Sequence, residues 1–283
     1  MPSSRKKIVV LYHADCSDGF GAACAAWKKF GSRATYIAVP PGNRIVPHDA
    51  RNAEVYTLDY SFPEDVLPAV LKQADSLTVV DHHITNERAA TLATQSLFAL
   101  DHSGAVLSWM YFHPDEPVPK LLAYIEDQDL WRFKLPHTRE LLRTIQAHVF
   151  DFAVWNKLLQ NFQDPVCLKK YIETGSVLLA QMGRMVEKLV EHAEEVRFEG
   201  MKCLMVNSPV HVSEIGAALV AKGSPIGIIW SRRDNKIIVS LRSRAGGVDV
   251  AKVAQKYGGG GHKSASGFAW EEAKFLTFRR KGV

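Results

Sequence analysis

The stretch Lys7-Ile8-Val9-Val10-Leu11-Tyr12-His13-Ala14-Asp15-Cys16-Ser17-Asp18-Gly19 runs from an apolar, β-branched segment directly into imidazole, carboxylates and glycine. Residues 7–12 read as a strand that stops where the polar groups begin. Beyond Gly19 and Gly21, the small residues Ala22-Ala23-Cys24-Ala25-Ala26 ahead of Trp27 favour a helix lying close against a sheet. The same strand, loop, helix order recurs. Residues 35–39 and 54–59 read as strands, a helix opens at Pro63, 77–81 and 97–100 are further strands, and Ser103 caps a helix through Tyr111. Such alternation predicts an α/β fold whose parallel sheet is covered on both faces.

From Pro117 to about His192 the periodicity turns helical, with Leu121, Leu122 and Ile125 on one face and later Leu178, Leu179, Met182, Met185, Val186 and Leu189. Beyond Glu199-Gly200 the alternation resumes, with strands at 202–206, 226–230 and 237–241, helices at 213–222 and 248–257, and a peripheral tail over 273–283. The expected organisation is an N-terminal parallel-sheet domain over 1–135, a helical connector over 136–197 and a smaller mixed α/β domain over 198–283.

A chain of 283 residues that is 47% hydrophobic has room for two ordinary cores. Its net charge of +5 is mild and its basic residues are scattered, which suits small anionic substrates better than long duplexes. Cys16, Cys24, Cys167 and Cys203 form no CxxC pair, so a reducing cytoplasm is the expected home and no disulfide framework is expected. Arg5-Lys6-Lys7 stands before an apolar run too short for a leader, and no window reaches the roughly 18 apolar residues of a membrane span. No membrane partner is expected, and a homodimer is left open.

Three further segments end like the first: Thr57-Leu58-Asp59-Tyr60, Val79-Val80-Asp81-His82-His83 and Ile125-Glu126-Asp127-Gln128-Asp129. One aspartate after a strand ordinarily caps a helix or makes a turn. In a parallel sheet, however, the loops after the strands emerge along one edge, so these groups meet in one crevice. Carboxylates gathered there without cations would raise one another's pKa values. Bound metal ions resolve the conflict. Adjacent imidazoles in Asp81-His82-His83 gain nothing for packing, which makes that triad the most specific element.

With these segments the chain resembles the DHH phosphoesterases, a family named for the triad present here as Asp81-His82-His83. The first motif is similar to His13-x-Asp15-x-x-Asp18-Gly19, the second to Asp59, the fourth to Asp127, and the associated C-terminal domain to Gly258–Phe268. Two residues, Cys16-Ser17, separate aspartates that the common motif separates by one. The resemblance implies two divalent metal ions, Mn2+ first with Mg2+ or Co2+ as substitutes. His13, Asp15 and Asp59 would hold one, and Asp18, Asp59, His82 and Asp127 the other. By the same resemblance His83 would meet the scissile phosphate or protonate the leaving oxygen, Asp81 would orient its neighbours, and Asp59 would take part directly. Members include enzymes acting on very short RNA, linear and cyclic dinucleotides, single strands, adenosine bisphosphate and pyrophosphate.

Gly258-Gly259-Gly260-Gly261 followed by His262-Lys263 implies a close backbone approach, and exposed N–H groups there suit an anion. Gly259, Gly260, Gly261 and His262, together with Arg242 at the end of a strand, are the expected substrate-binding groups. Trp131-Arg132 offers either a base-stacking platform or an ordinary rim packing on its own domain. The expected function is a two-metal phosphodiesterase that cleaves short oligonucleotides or dinucleotides to nucleoside monophosphates. A phosphatase or pyrophosphatase on small phosphoanhydrides or adenosine bisphosphate, and a nucleotide-binding regulator with weak catalysis, are the alternatives.

Overall fold

Alternation along β1 (Lys7–His13) sends Val9 and Leu11 to one side of the sheet and Val10 to the other. In the computed structural model, which describes residues 6–40 and 43–275, β1 pairs in parallel with β2 (Ala34–Val39) and with β3 (Ala53–Leu58). Then β4 (Ser76–Asp81) and β5 (Gln95–Phe98) add in parallel, giving the order β2-β1-β3-β4-β5. The chain lays β2 on one side of β1 and all later strands on the other. The ends of β1 and β3 therefore bound a topological switch point, where a crevice opens in sheets of this kind.

Helix α1 (Ser17–Phe30) covers the face of Val10, Leu58 and Val80, while α2 (Leu67–Gln73) and α3 (Glu87–Leu92) cover that of Val9, Leu11, Val55 and Val79. On the first face follow α4 (Gly104–Phe112), α5 (Lys120–Asp129), α6 (Thr138–Gln146) and α7 (Phe152–Asn161), which bury Trp109, Leu122, Leu141 and Trp155. The expected α/β class and the parallel N-terminal sheet are present. Residues 63–66 form a turn, Val66 N–H donating to Pro63, so the helix expected at Pro63 starts at Leu67 with Pro68 in its first turn.

Two compact units divide at Leu179 and Ala180, inside α8 (Pro165–Glu191). The segment expected as a connector does not stand apart: α6, α7 and the start of α8 pack into the first core. In the second unit, Val186 and Val190 of α8 join Val206, Ile215, Leu219 and Ile229. That unit contains β6 (Glu194–Phe198), β7 (Met201–Asn207), α9 (Val212–Ala221), β8 (Gly227–Arg233), β9 (Lys236–Arg242), α10 (Val250–Gln255), β10 (Gly260–His262) and β11 (Ala265–Glu271). Its sheet order is β10-β11-β9-β8-β7-β6, mixed because only β7 and β8 run parallel.

The sequence reading did not anticipate β6, β10 or β11. β6 alternates over only five residues, and β10 is mostly glycine, which has little strand preference of its own. Pairing with β11 creates it. Phe275, assigned to a peripheral tail, is buried in the second core; the rest of that tail, 276–283, and Pro41-Gly42 lie outside the described residues. Among the described residues no helix is long and apolar enough to cross a membrane.

Candidate metal centre

His13 closes β1, Asp18 sits in the first turn of α1, Asp59 follows β3, and Asp81-His82-His83 spans the end of β4. All four positions lie on one edge of the parallel sheet, and Asp129 reaches the same place from the end of α5. His13 Nδ1 is 3.3 Å from Asp59 Oδ2, and His82 Nε2 is 3.2 Å from Asp59 Oδ1. His82 Nε2 also lies 3.8 Å from Asp18 Oδ2 and 3.6 Å from Asp129 Oδ2. His83 Nδ1 is 3.7 Å from Asp59 Oδ1. Three overlapping donor groups result, His13/Cys16/Asp59, Asp59/His82/His83 and Asp18/His82/Asp129, each with its ligand atoms within 4.8 Å of one another.

Asp59 belongs to two of these groups and is nearly inaccessible to solvent. Its backbone is left-handed, φ 52°, a conformation that costs a non-glycine residue energy and that its surroundings must enforce. Gly104 makes room for this residue, because a Cβ there would lie 2.5 Å from the Asp59 Cβ. Gly19 does the same for His13, whose carbonyl oxygen would be 2.2 Å from a side chain. Only glycine lets α1 and α4 come this close.

Asp18 is held by the start of α4: Gly104 N–H donates to Oδ2 at 2.7 Å and Ala105 N–H to Oδ1 at 3.0 Å. A helix N-terminus favours negative charge. Burial nevertheless pushes the Asp18 carboxyl well above the ordinary carboxylate range, and the charges of Asp59 and Asp129 push it further. Asp129 is raised by burial and by Asp59. Burial also acts against charge on Asp59, but the His13 and His82 rings and the charge of His83 prevail and bring it down to about 2. For His82 burial is again outweighed, by Asp59, Asp18 and Asp129, which hold the ring at about 9. His13 is raised chiefly by its hydrogen bond to Asp59. The Cys16 thiol is pushed up to about 12 by burial, then by Asp59 and Asp18.

Fully buried Asp81 belongs to none of the donor groups but organises them. It accepts from His82 N–H at 2.7 Å, His83 N–H at 3.0 Å, Ser61 Oγ at 3.1 Å and Asn86 Nδ2 at 2.7 Å, and pairs with His83 Nδ1 at 2.8 Å. With Nδ1 so engaged, Nε2 is the ring nitrogen left for a further partner.

Two expected ligands are not where the sequence reading put them. Asp127 is consumed by the following loop, its carboxylate accepting from Lys134 N–H, Leu135 N–H and Thr138 Oγ1. Helical geometry does turn residues two apart to different sides, but the one facing the site is Asp129. Asp15 is exposed, with φ 54°, and joins none of the donor groups. The turn leaves Asp15 at the rim of the neighbouring cleft and brings Cys16 beside His13 and Asp59 instead. Gly104, Ser61, Asn86 and Glu126, which ties α5 to Ser103 N–H and His102, went unnoticed in the sequence. The only local trace of Gly104 is its place behind the helix cap Ser103.

In the second unit, β10 forms the sheet edge and carries Gly260, Gly261 and the exposed His262. The close approach that the glycines permit is made by the chain's own β11: a Cβ on Gly259 would lie 2.1 Å from the Gly267 oxygen, and one on Gly261 2.7 Å from the Ala265 oxygen. Only Gly260 faces open space among these three. Arg242 lies against Gly216 of α9 and donates to Ser213 Oγ at 3.1 Å. Trp131 is 69% exposed and packs edge-on with Phe133, ring centroids 4.9 Å apart.

The donors suit hard or borderline divalent cations. Carboxylate and imidazole predominate, and Asp59 Oδ1 is buried without a hydrogen bond, the His82 nitrogen beside it notwithstanding. A cation would satisfy that oxygen and lower the mutual repulsion of Asp18, Asp59 and Asp129. A DHHA1 domain family model matches residues 210–280. The fold is similar to that of the DHH domain of a member of a family of ribosomal proteins, at a TM-score of 0.70 and 12% identity, covering 98% of this chain and 86% of that one. The chain belongs to the DHH phosphoesterase superfamily. An uncharacterized protein of Acanthamoeba polyphaga mimivirus, R106, is 31% identical over 292 residues, 94% of this chain and 68% of that protein. RecJ of Thermus thermophilus, solved in complex with Mn2+, has the same DHH fold at a TM-score of 0.57 and 16% identity, over 98% of this chain and 51% of RecJ.

Proposed function

We propose that the protein is a two-metal-dependent phosphodiesterase that hydrolyses dinucleotides or short oligonucleotides to nucleoside monophosphates, with Mn2+ as its metal. The observation that carries this reading is Asp59, a buried carboxylate shared by two donor groups and left with an unsatisfied oxygen. His13 and Cys16 would complete one ion's protein ligands, and Asp18, His82 and Asp129 the other's. Divalent cations bound there supply Lewis acidity toward phosphoryl oxygens and acidify an attacking water.

The chain's own groups do the rest. Asp81 holds His83 by Nδ1, leaving Nε2 to donate to a phosphoryl or leaving oxygen. Asp81 also fixes the backbone N–H groups of both histidines, so it is a positioning residue. The α4 N-terminus keeps both oxygens of Asp18 in place. Within the second unit, Arg242, Gly260 and His262 are the groups we assign to phosphate binding; Gly259 and Gly261 shape the hairpin that carries the latter two.

The test is incubation of the purified protein and Mn2+ with a dinucleotide, with products identified by mass. Nucleoside monophosphate release by the wild type, lost in His83→Ala with Mn2+ affinity retained, is the expected result. Free phosphate released from pyrophosphate, with dinucleotides untouched, would replace this reading by the phosphoanhydride one. Tight dinucleotide binding without turnover would replace it by the regulator.

A further inference from the structure

A cleft of about 370 Å3 opens beside the donor groups, walled on one side by Asp18 and Asp129 and elsewhere by Gln128, Leu142, Gln146 and Phe150. Because Asp18 and Asp129 belong with His82 to one donor group, a phosphate held there presents whatever it is esterified to at the mouth of this cleft. The cleft's chemistry restricts the occupant. No lysine or arginine lines it and carboxylates do, so a second phosphate is repelled and an uncharged group is accepted. Leu142 is buried beneath, and Phe150, 42% exposed, belongs to an aromatic cluster with Phe20 at 5.2 Å and Trp155 at 5.8 Å. An apolar ring held in place by its neighbours yet left open to solvent is a stacking surface.

Two amides stand against that apolar wall. Among the described residues the Gln128 side chain has no hydrogen-bond partner, and Gln146 uses only its oxygen, accepting from Arg143 at 3.2 Å. Each amide carries both a donor and an acceptor, the pattern that reads the edge of a base. The volume falls at the low end of small-ligand pockets, about 300–1,000 Å3, which suits one nucleoside. We propose that this cleft is a nucleobase subsite, in which Phe150 stacks on the base next to the scissile phosphate and Gln128 and Gln146 read its edge. The inference rests on the phosphodiesterase reading and names the substrate feature that the same centre selects; a pyrophosphate-sized substrate would leave these groups idle.

The experiment compares kcat/KM for a dinucleotide with that for the abasic analogue of the same dinucleotide, with Mn2+, in the wild type, Phe150→Ala and Gln146→Ala. The wild type should prefer the dinucleotide. That preference should shrink about 5- to 100-fold in Phe150→Ala and by a similar factor in Gln146→Ala. A merely structural role would slow both substrates alike and leave their ratio intact. Equal wild-type use of both substrates, or a ratio unmoved in both variants, overturns the subsite while leaving the phosphodiesterase reading standing. Failure of the wild type to cleave the dinucleotide at all overturns that reading, and the subsite with it.

Discussion

The loops at the parallel-sheet edge and the glycine-rich hairpin of the second unit both looked functional in sequence, yet they use their residues differently. At the sheet edge, Asp18, Asp59 and Asp81 are buried, and glycine is spent to bring helices against them: Gly19 against His13, Gly104 against Asp59. In the hairpin, Gly259 and Gly261 are spent on pairing with β11, while His262 and Lys263 stay in solvent. One region is held from all sides, which is what a metal site of defined geometry requires. The other presents an open strand edge, which suits a substrate that arrives and leaves.

That contrast is open to test, beginning where the effect should be largest. Asp59→Ala removes the shared carboxylate, and Mn2+ affinity measured by calorimetry should fall at least about 100-fold, beyond what an outer orienting group is worth. Retained Mn2+ binding would refute the centre. Next, Asp129→Ala should weaken Mn2+ binding at least about 10-fold, whereas Asp127→Ala should leave affinity nearly unchanged and cost about 1–3 kcal/mol of stability through the N–H groups it strands. The opposite pattern would restore Asp127 as the ligand. Gly104→Ala and Gly259→Ala should each cost about 1–3 kcal/mol, but only the first, pressing on Asp59, should also lower metal affinity. If both lower it, the two regions are coupled in a way the contrast denies.

A smaller effect concerns pH. His82 is raised from 6.5 to about 9 in the folded, metal-free protein, so its contribution to stability is complete below pH 6.5 and disappears as pH climbs through about 9. Thermal melts without metal should show a decline across that window that His82→Gln flattens. Asp59 acts in the reverse sense: lowered from 3.8 to about 2, its contribution is present above pH 3.8 and lost as pH falls through about 2. The least expected change is Gly260→Ala, which meets open space and should shift stability by no more than about 0.5 kcal/mol.

Much of the N-terminal unit was legible along the chain. β1 and β4 carry apolar runs, β3 alternates, and the three stop at or just before His13, Asp59 and Asp81, so the sheet and its polar edge could be read without coordinates. β10 was not legible because a Gly-Gly-His segment has no periodicity and becomes a strand only when β11 lies beside it. Over 136–197 helical periodicity shows which face is apolar but not what that face meets, so the sequence alone does not reveal that α6 and α7 belong to the first core.

Local spacing and residue type were enough to announce carboxylates and imidazoles at the ends of parallel strands, and with them the kind of chemistry. Folding in three dimensions chose among them. Asp127 and Asp129 look alike two residues apart, but Lys134, Leu135 and Thr138 occupy the first and leave the second to the site. Asp15 and Cys16 exchange places because of how one turn bends. A carboxylate serves a cation only where the fold aims spare lone pairs at the site: the loop that follows Asp127 turns it inward, whereas Asp18, though both its oxygens accept from Gly104 and Ala105 far along the chain, still faces His82.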